Sequence, residues 1–172
     1  MARMSKRELK KYIKTLKRAK LEEQVFELYD KFKPVKTYYD FVFNPKEDRL
    51  IEEAKIKIYK EYFPNTKRRA KKRRSTAQKI IKSFLVLGVN ESLIADVMLY
   101  NIEIAQSYTA EIRINQDSFY TSIFNSFEQA IIFIKEQGLS SDFELRITNV
   151  VDAVEAQNWI NEAAFFRVKD SL

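Results

Sequence analysis

The chain has 172 residues, 45% of them hydrophobic, a formal net charge of +7, two glycines, three prolines, no cysteine and no histidine. This composition excludes disulfides, thiol chemistry, zinc sites built from Cys or His, and catalytic triads or dyads that need histidine. The scarcity of glycine and proline also disfavours an all-β fold, whose turns need both residues. We predict an all-α fold, a compact helical bundle or short α-α array of about eight helices.

The positive charge is concentrated in the first half of the chain. Residues 1–82 carry 26 basic and 11 acidic side chains, a net charge of +15, whereas residues 83–172 carry 5 basic and 13 acidic ones, a net charge of −8. We therefore predict a single domain over residues 1–172, with a basic half (residues 1–82), an acidic half (residues 83–172) and a basic connector over residues 64–75. Such asymmetry indicates a surface that meets a polyanion.

The first predicted helix begins at a capping box, Ser5-x-x-Glu8, in which each side chain satisfies the backbone N–H of the other residue. Its apolar face carries Leu9, Ile13 and Leu16. The opposite face carries a basic stripe at helical spacing: Arg7, Lys11, Lys14 and Arg18. The stripe is interpreted either as a solvated face or as a helix laid against phosphates.

A second helix is predicted from about Leu21 to Phe32, and a short aromatic helix follows Pro34 over Val35–Phe43. Six aromatic side chains lie here among lysines: Tyr29, Phe32, Tyr38, Tyr39, Phe41 and Phe43. Rings beside cations can stack bases and hold phosphates, but large rings at helical spacing more often pack in a core. We expect Phe32, Phe41 and Phe43 in the core and leave the role of the tyrosines open.

The sequence Asn44-Pro45-x-Glu47 predicts the start of a fourth helix, because Asn is a preferred N-cap residue and Pro suits the first helical position. This helix is expected to continue to about Phe63. Its inner face carries Leu50, Ile51, Ala54, Ile58 and Tyr62.

The connector overlaps a longer basic run, Lys67–Lys82. Nine of the sixteen residues of this run are basic and none is acidic. Within it, Ser75-x-x-Gln78 predicts the cap of a helix that reaches Leu87 and stops at Gly88. The candidate phosphate contacts are Lys67, Arg68, Arg69, Lys71, Lys72, Arg73 and Arg74. Three interpretations stay open: a surface for nucleic acid or the ribosome, a surface for an acidic protein partner, or a solvated linker with no partner.

The acidic half holds the predicted centre of the core. Asn90 caps a helix from about Glu91 to Ser107 that is apolar on nearly its whole circumference and therefore central. A helix over Ser118–Gln137 follows and ends at Gly138; its predicted inner residues are Phe119, Ile123, Phe127, Ala130, Ile131 and Ile134. Ser141-x-x-Glu144 is a second predicted capping box, opening a helix with the inner residues Phe143, Ile147, Val150, Val151 and Val154. The segment Gln157–Val168 is predicted to dock as a last helix.

Catalytic chemistry has little support in the sequence. Both glycines serve as helix stops, so no glycine-rich loop remains to hold a phosphate. Asp96 and Glu103 are interpreted either as an acid–base pair or, more often for such residues, as partners of a cation on a neighbouring helix. We expect a protein that is not an enzyme and has no cofactor and no metal.

The apolar runs are too short for a membrane span. No long apolar stretch follows the basic N-terminus, as a secretory signal would require. A disulfide-free, lysine-rich chain fits a reducing compartment, and we expect a cytoplasmic protein without a membrane partner.

Three stretches carry a resemblance to a known family: FKPVKTYYDFVFNPKED over residues 32–48, KRRAKKRRSTAQK over residues 67–79 and LIADVMLYNIEIAQ over residues 93–106. There the chain resembles an uncharacterised family of small basic bacterial proteins, a domain of unknown function, and the likeness covers nearly the whole chain. The resemblance implies a bacterial cytoplasm, which disfavours a nuclear-localisation role for residues 67–74. It implies no catalytic or binding residues.

The function that the sequence favours is binding of nucleic acid or a ribonucleoprotein through a basic face, with little sequence preference. That face would carry the connector cations and the Arg7–Arg18 stripe. The alternative is a helical protein–protein interaction scaffold, in which basic and acidic surfaces pair with an acidic protein or with a second copy.

Overall fold

The structure, a computed structural model, describes residues 4–65 and 69–172. Over these residues the chain forms nine α-helices and no β-strand, which confirms the predicted all-α fold class. The helices are α1 Lys6–Thr15, α2 Arg18–Lys31, α3 Lys33–Phe43, α4 Glu47–Tyr62, α5 Arg74–Leu87, α6 Glu91–Glu111, α7 Asp117–Glu136, α8 Ser140–Ala156 and α9 Glu162–Lys169. They group into two compact units, Met1–Pro45 and Lys46–Leu172. The single domain stays a prediction.

The N-terminal unit, α1 to α3, opens with the predicted capping box. The Ser5 N–H donates to Glu8 Oε2 at 2.7 Å, and Ser5 Oγ accepts from the Glu8 N–H at 3.3 Å. Helices α2 and α3 pack against each other, and Pro34 lies in the first turn of α3, where a missing N–H is tolerated. None of the described residues of this unit is buried. The unit therefore has three helices without an interior core.

The apolar faces predicted for the N-terminal unit are open to solvent. Leu9 and Ile13 of α1 are 44% and 38% exposed. The prediction that Phe32 and Phe43 lie in the core is wrong, because these side chains are 51% and 82% exposed; Phe41 is only partly buried. Helical spacing correctly identifies an amphipathic face, but within this unit no element covers that face.

Helix α6 is the centre of the C-terminal unit, as predicted. It contacts α4, α5, α7 and α8, and α9 packs on α7 and α8. Ala95, Val97, Leu99, Ile102 and Ala105 of α6 are completely buried, because neighbouring helices approach it from several sides. All the predicted inner residues of α7 and α8 are buried as well.

An aromatic cluster fixes the last helix on this core. The Phe165 ring is fully buried, with its centroid 4.8 Å from that of Phe127 and 5.8 Å from that of Trp159. Such offset and edge-to-face pairs add to the stabilisation that burial gives. The C-terminal segment therefore docks as predicted, through a helix shorter than expected.

Several predicted helix caps are wrong. Asn44 ends α3, where its N–H donates to the Asp40 and Phe41 carbonyl oxygens, and α4 begins at Glu47. The Glu47 carboxylate instead accepts from the N–H of Asn90, the N-cap residue of α6, at 2.8 Å. Neither Ser75 nor Ser141 caps a helix, since α5 begins at Arg74 and α8 at Ser140.

Three predicted helix boundaries are confirmed. Asn90 Oδ1 accepts from the Ser92 N–H at 2.9 Å at the start of α6. Gly88 and Gly138 follow α5 and α7 with φ of +74° and +69°. In that left-handed region a side chain is strained, so glycine is favoured there.

Candidate nucleic-acid interface

The basic run continues from residue 69 as an extended segment that leads into α5. Helix α5 begins at Arg74 without a side-chain cap, and its N-cap residue, Arg73, has extended backbone. Two of the predicted phosphate contacts, Lys67 and Arg68, lie outside the described residues. The remaining five, from Arg69 to Arg74, differ in what their side chains contact.

Arg73 is paired with a carboxylate of α4. Its Nη2 and Nε donate to the two oxygens of Glu61 at 2.7 and 3.0 Å, and its backbone N–H donates to Glu61 Oε2 at 3.3 Å. Thr76 Oγ1 adds a fourth hydrogen bond, 3.0 Å long. The Arg73 hydrogen bonds hold the pKa of the Glu61 carboxyl below its ordinary value. Glu61 is buried, with 8% exposure, so it fixes Arg73 at the start of α5.

Arg74 points into the C-terminal unit and contacts α7. Its Nε donates to Ser126 Oγ at 2.8 Å and its Nη2 to Gln129 Oε1 at 3.0 Å. Burial lowers the pKa of this guanidinium. Both acceptors are neutral, so they do not compensate the positive charge of the Arg74 guanidinium, which lies against α7.

Lys72 adopts left-handed backbone, with φ of +53°, which is uncommon for a residue with a side chain. Its N–H donates to the Glu61 carbonyl oxygen at 2.9 Å, and its Nζ lies 5.5 Å from the centre of the Tyr108 ring. This geometry is a cation–π contact. The segment is therefore held by consecutive contacts from Lys72, Arg73 and Arg74.

Besides Arg73, which is exposed but paired with Glu61, four cations of this segment and of α5 face solvent: Arg69, Lys71, Lys79 and Lys82. Among the described residues, no carboxylate lies within ion-pair distance of them. Lys79 and Lys82 are three residues apart on the exposed side of α5, so they share a helix face. We call these four residues the α5 basic surface.

The basic stripe predicted near the N-terminus is shorter than expected. Arg7, Lys11 and Lys14 are exposed on α1. Arg18 is not on this helix, because the chain becomes extended at Leu16 and α2 begins at Arg18. Arg18 Nε instead lies 2.8 Å from Glu22 Oε1. The stripe therefore consists of three residues, and it belongs to the N-terminal unit.

An aromatic groove lies between α2 and α3 in that unit. Its volume is about 620 Å³, and it is lined by Val25, Phe26, Tyr29, Tyr39, Asp40, Phe43 and Asn44. The Tyr39 and Phe43 rings are inclined by only 17° with centroids 6.2 Å apart. Lys36 Nζ lies 5.6 Å from the centre of the Tyr29 ring.

Asp96 and Glu103 are ion-pair partners in the structure. Arg146 of α8 donates to Asp96 Oδ1 at 2.6 Å and, through Nη2, to Glu103 Oε2 at 2.8 Å. Lys55 of α4 lies 2.6 Å from Asp96 Oδ2. Of the two interpretations, partnership with cations of neighbouring helices is confirmed. Within the described residues, no cluster of three or more acidic side chains is arranged to hold a metal ion.

Glu61 is the residue of this site that the sequence prediction missed. Its signal was present: Ala54, Ile58 and Glu61 follow at helical spacing, so a carboxylate stands on the buried face of α4. A buried carboxylate requires a partner. The next segment of the chain is the most basic one, which makes an arginine there the expected partner.

A family model described as Family of unknown function (DUF6155) matches residues 4–172, which include helices of both compact units. The predicted likeness to a family of unknown function is thereby confirmed. No curated protein and no solved structure matches the chain. Among the described helices, none has the length and apolar character needed to pass through a bilayer.

Proposed function

The chain belongs to the family of unknown function DUF6155, and we propose that it binds nucleic acid or a ribonucleoprotein through the α5 basic surface. One observation carries this proposal: Arg69, Lys71, Lys79 and Lys82 are exposed, and among the described residues no carboxylate lies within ion-pair distance of them, whereas the exposed Arg73 is paired with Glu61. Exposed, unneutralised cations concentrated in one segment repel one another. A polyanion relieves that repulsion and releases its own counterions on binding.

The cations of the segment take two roles in this proposal. Arg69, Lys71, Lys79 and Lys82 contact phosphates. Arg73 and Arg74 position the segment, because their guanidinium groups are engaged by Glu61 and by Ser126 and Gln129. The three stripe cations of α1, Arg7, Lys11 and Lys14, supply further phosphate contacts from the N-terminal unit.

Phosphate contacts make binding dependent on salt and insensitive to sequence. Four such contacts would lower the affinity roughly 50- to 150-fold between 50 and 200 mM salt. We therefore expect similar affinities for oligonucleotides of unrelated sequence at one salt concentration, and a steep loss of affinity as salt is added.

A charge-matched pair of variants tests the proposal. In the first, Arg69→Gln, Lys71→Gln, Lys79→Gln and Lys82→Gln are combined. In the control, Lys46, Arg49, Lys57 and Lys60 are changed to Gln; these exposed residues belong to the same compact unit. Both variants have a net charge of +3, four less than the wild type's +7. Fluorescence anisotropy with a labelled RNA oligonucleotide measures affinity at several salt concentrations.

We expect the first variant to lose at least about tenfold in affinity, with a smaller salt dependence, and the control to bind like the wild type. Circular dichroism verifies that both variants keep their helical content. Equal losses in the two variants would mean that net charge alone determines binding, and unchanged binding by the first variant would refute the assignment of the surface.

A protein-interaction scaffold is the second candidate, and exposed apolar side chains on acidic helices favour it. Leu145 of α8 is 75% exposed beside Glu144, and Ile132 of α7 is 51% exposed between Glu128 and Glu136. Pairing of such faces with basic surfaces of a second copy would give dimers or chains that dissociate when salt is added. Light scattering at low and high salt separates this function from nucleic-acid binding by a monomer.

A further inference from the structure

The aromatic groove between α2 and α3 has the dimensions and exposure of a binding site. Its volume of about 620 Å³ lies within the range of about 300–1,000 Å³ that ligand pockets occupy. Phe26 and Phe43 in its lining are 66% and 82% exposed. Since covering aromatic surface is favourable in water, an occupant of suitable shape would be stabilised there.

The lining favours flat aromatic ligands over an aliphatic protein helix. Four of its seven residues are aromatic, and Val25 is the one aliphatic member of that set. The Tyr39 and Phe43 rings are stacked nearly parallel, and Phe43 is 82% exposed, so a base can stack on its open ring surface. Asp40 and Asn44 supply oxygen and amide groups of the kind that hydrogen-bond to base edges.

The net charge of the N-terminal unit favours an anionic ligand. Residues 1–45 carry 12 basic and 6 acidic side chains, a net charge of +6. Lys36 lies over Tyr29, one of the lining rings, so a cation stands directly beside the stacking surface. Aromatic rings combined with lysines are the usual means of binding single strands, in which the bases are free to stack while the backbone meets cations.

We propose that this groove takes unpaired nucleobases, so that the nucleic acid bound by the protein is single-stranded. This inference rests on the proposed function and specifies its ligand. In a duplex the bases are stacked inside the helix and cannot enter such a groove, whereas the phosphates of either form can reach the α5 basic surface.

Two groove variants of the full chain test the inference by fluorescence anisotropy with a labelled single-stranded oligonucleotide and a duplex of equal length. The double variant Phe26→Leu/Phe43→Leu removes two rings but keeps apolar side chains with good helix propensity. Phe32→Leu is the matched control, because Phe32 is 51% exposed in the same unit and is not among the lining residues.

The wild type is expected to bind the single strand more tightly than the duplex. The double variant should lose about tenfold or more on the single strand alone, because stacking contributes roughly 5- to 150-fold per base. The control should bind both forms like the wild type. Equal binding of single strand and duplex by the wild type, or wild-type affinity of the double variant for the single strand, would overturn the inference.

A fluorescence measurement keeps the inference testable if the leucine variants misfold. Phe43→Trp places an indole in the groove, and Phe32→Trp places one outside it; the natural Trp159 is buried, with 3% exposure. We expect the single strand to quench the added fluorescence of Phe43→Trp and not that of Phe32→Trp. Equal quenching of both, or of neither, contradicts base binding in the groove.

The outcomes distinguish this inference from the proposed function. If the wild type binds neither form of nucleic acid, both fail together. If the Gln variant of the α5 basic surface loses binding while the groove variants keep it, the groove inference alone fails. Groove-dependent binding of an acidic helical peptide, with no effect of the groove on the single strand, would assign the groove to a protein partner and also overturn the inference.

Discussion

Glu61 pairs with one exposed cation of the basic run, Arg73. Its carboxylate accepts hydrogen bonds from the Arg73 backbone, the Arg73 guanidinium and Thr76, all at the N-terminus of α5. The positive end of the helix dipole favours an anion at this place. The Glu61 carboxylate therefore lies at a position where the helix dipole would also favour a phosphate. Its hydrogen bonds hold the Arg73 side chain against α4.

Replacing this carboxylate by an amide is expected to destabilise the protein in a pH-dependent way. Glu61→Gln should lower the free energy of unfolding by about 1 kcal/mol at pH 7; the value is modest because Arg73 is 54% exposed and its charge is screened. The pKa of Glu61 is lowered by Arg73, so its contribution is present above the ordinary value of 4.5 and is lost as the pH falls below it.

Urea unfolding at pH 7 and at pH 3 measures this difference. The wild type should exceed Glu61→Gln in stability at pH 7, and the gap should narrow at pH 3. Glu52→Gln is the control, because Glu52 is exposed on the same helix and its change should matter at neither pH. A gap of constant size across this range would contradict the role given to the Glu61 charge.

Single residues were predictable where their role depends on neighbours in sequence. Glu8 forms the predicted capping box with Ser5, and Gly88 has the predicted left-handed backbone. Arg74 was not predictable in this way, because its partners Ser126 and Gln129 are 52 and 55 residues away. No local pattern distinguishes Arg74 from Lys71, although one contacts α7 and the other faces solvent.

At the level of elements, an ion-pair network joins three helices of the C-terminal unit. Arg146 of α8 contacts Asp96 and Glu103 of α6, and Lys55 of α4 contacts Asp96. The four side chains are 23% to 33% exposed, so they are neither fully solvated nor fully buried. Removing one partner from such a network leaves the others with an uncompensated charge.

Arg146→Met is expected to destabilise the protein by about 2 kcal/mol, less than the 3–5 kcal/mol typical of a fully buried pair. The reason is that Asp96 and Glu103 would then face each other with only Lys55 nearby. Thermal unfolding followed by circular dichroism measures the effect. Arg167→Met, an exposed position on α9, is the control, and equal stability of the two variants would show that the network contributes nothing specific.

The sequence predicted helices best where one face of the helix packs against the core of the C-terminal unit. All the inner residues predicted for α7 and α8 are buried, because helices packed against a common core must present one apolar face to it. Helix starts were predicted less well. Asn44 has the chemistry of an N-cap, yet it ends α3, and Glu47 bonds to Asn90, which lies 43 residues further along the chain.

The whole molecule combines a packed unit with an N-terminal unit whose described residues include none that is buried. Helical periodicity predicted amphipathic faces on α1, α2 and α3, and those faces exist. Helical periodicity shows which side of a helix is apolar, but it does not show whether another element covers that side. For this reason the pattern predicts Phe43 in the core, whereas the structure shows its side chain 82% exposed. Phe43 is also one of the residues that line the aromatic groove.

Charge distribution was the most informative property of the whole sequence. The segregation of +15 and −8 between residues 1–82 and 83–172 left open whether the acidic half neutralises the basic run. Among the described residues, the ion pair of that run involves Glu61, from the basic half itself. In the described part of the chain, no carboxylate of α6 to α9 pairs with Arg69, Lys71, Lys79 or Lys82, which is what the proposed function requires.

Purification of the full chain from native lysate, with and without nuclease, tests nucleic-acid binding most directly. The amount of nucleic acid per mole of protein is measured by absorbance and gel, for the wild type and for the variant with Gln at residues 69, 71, 79 and 82. We predict that the wild type carries nucleic acid that nuclease removes, and that the variant carries little. A wild type free of nucleic acid, or a variant that carries as much as the wild type, would contradict the account.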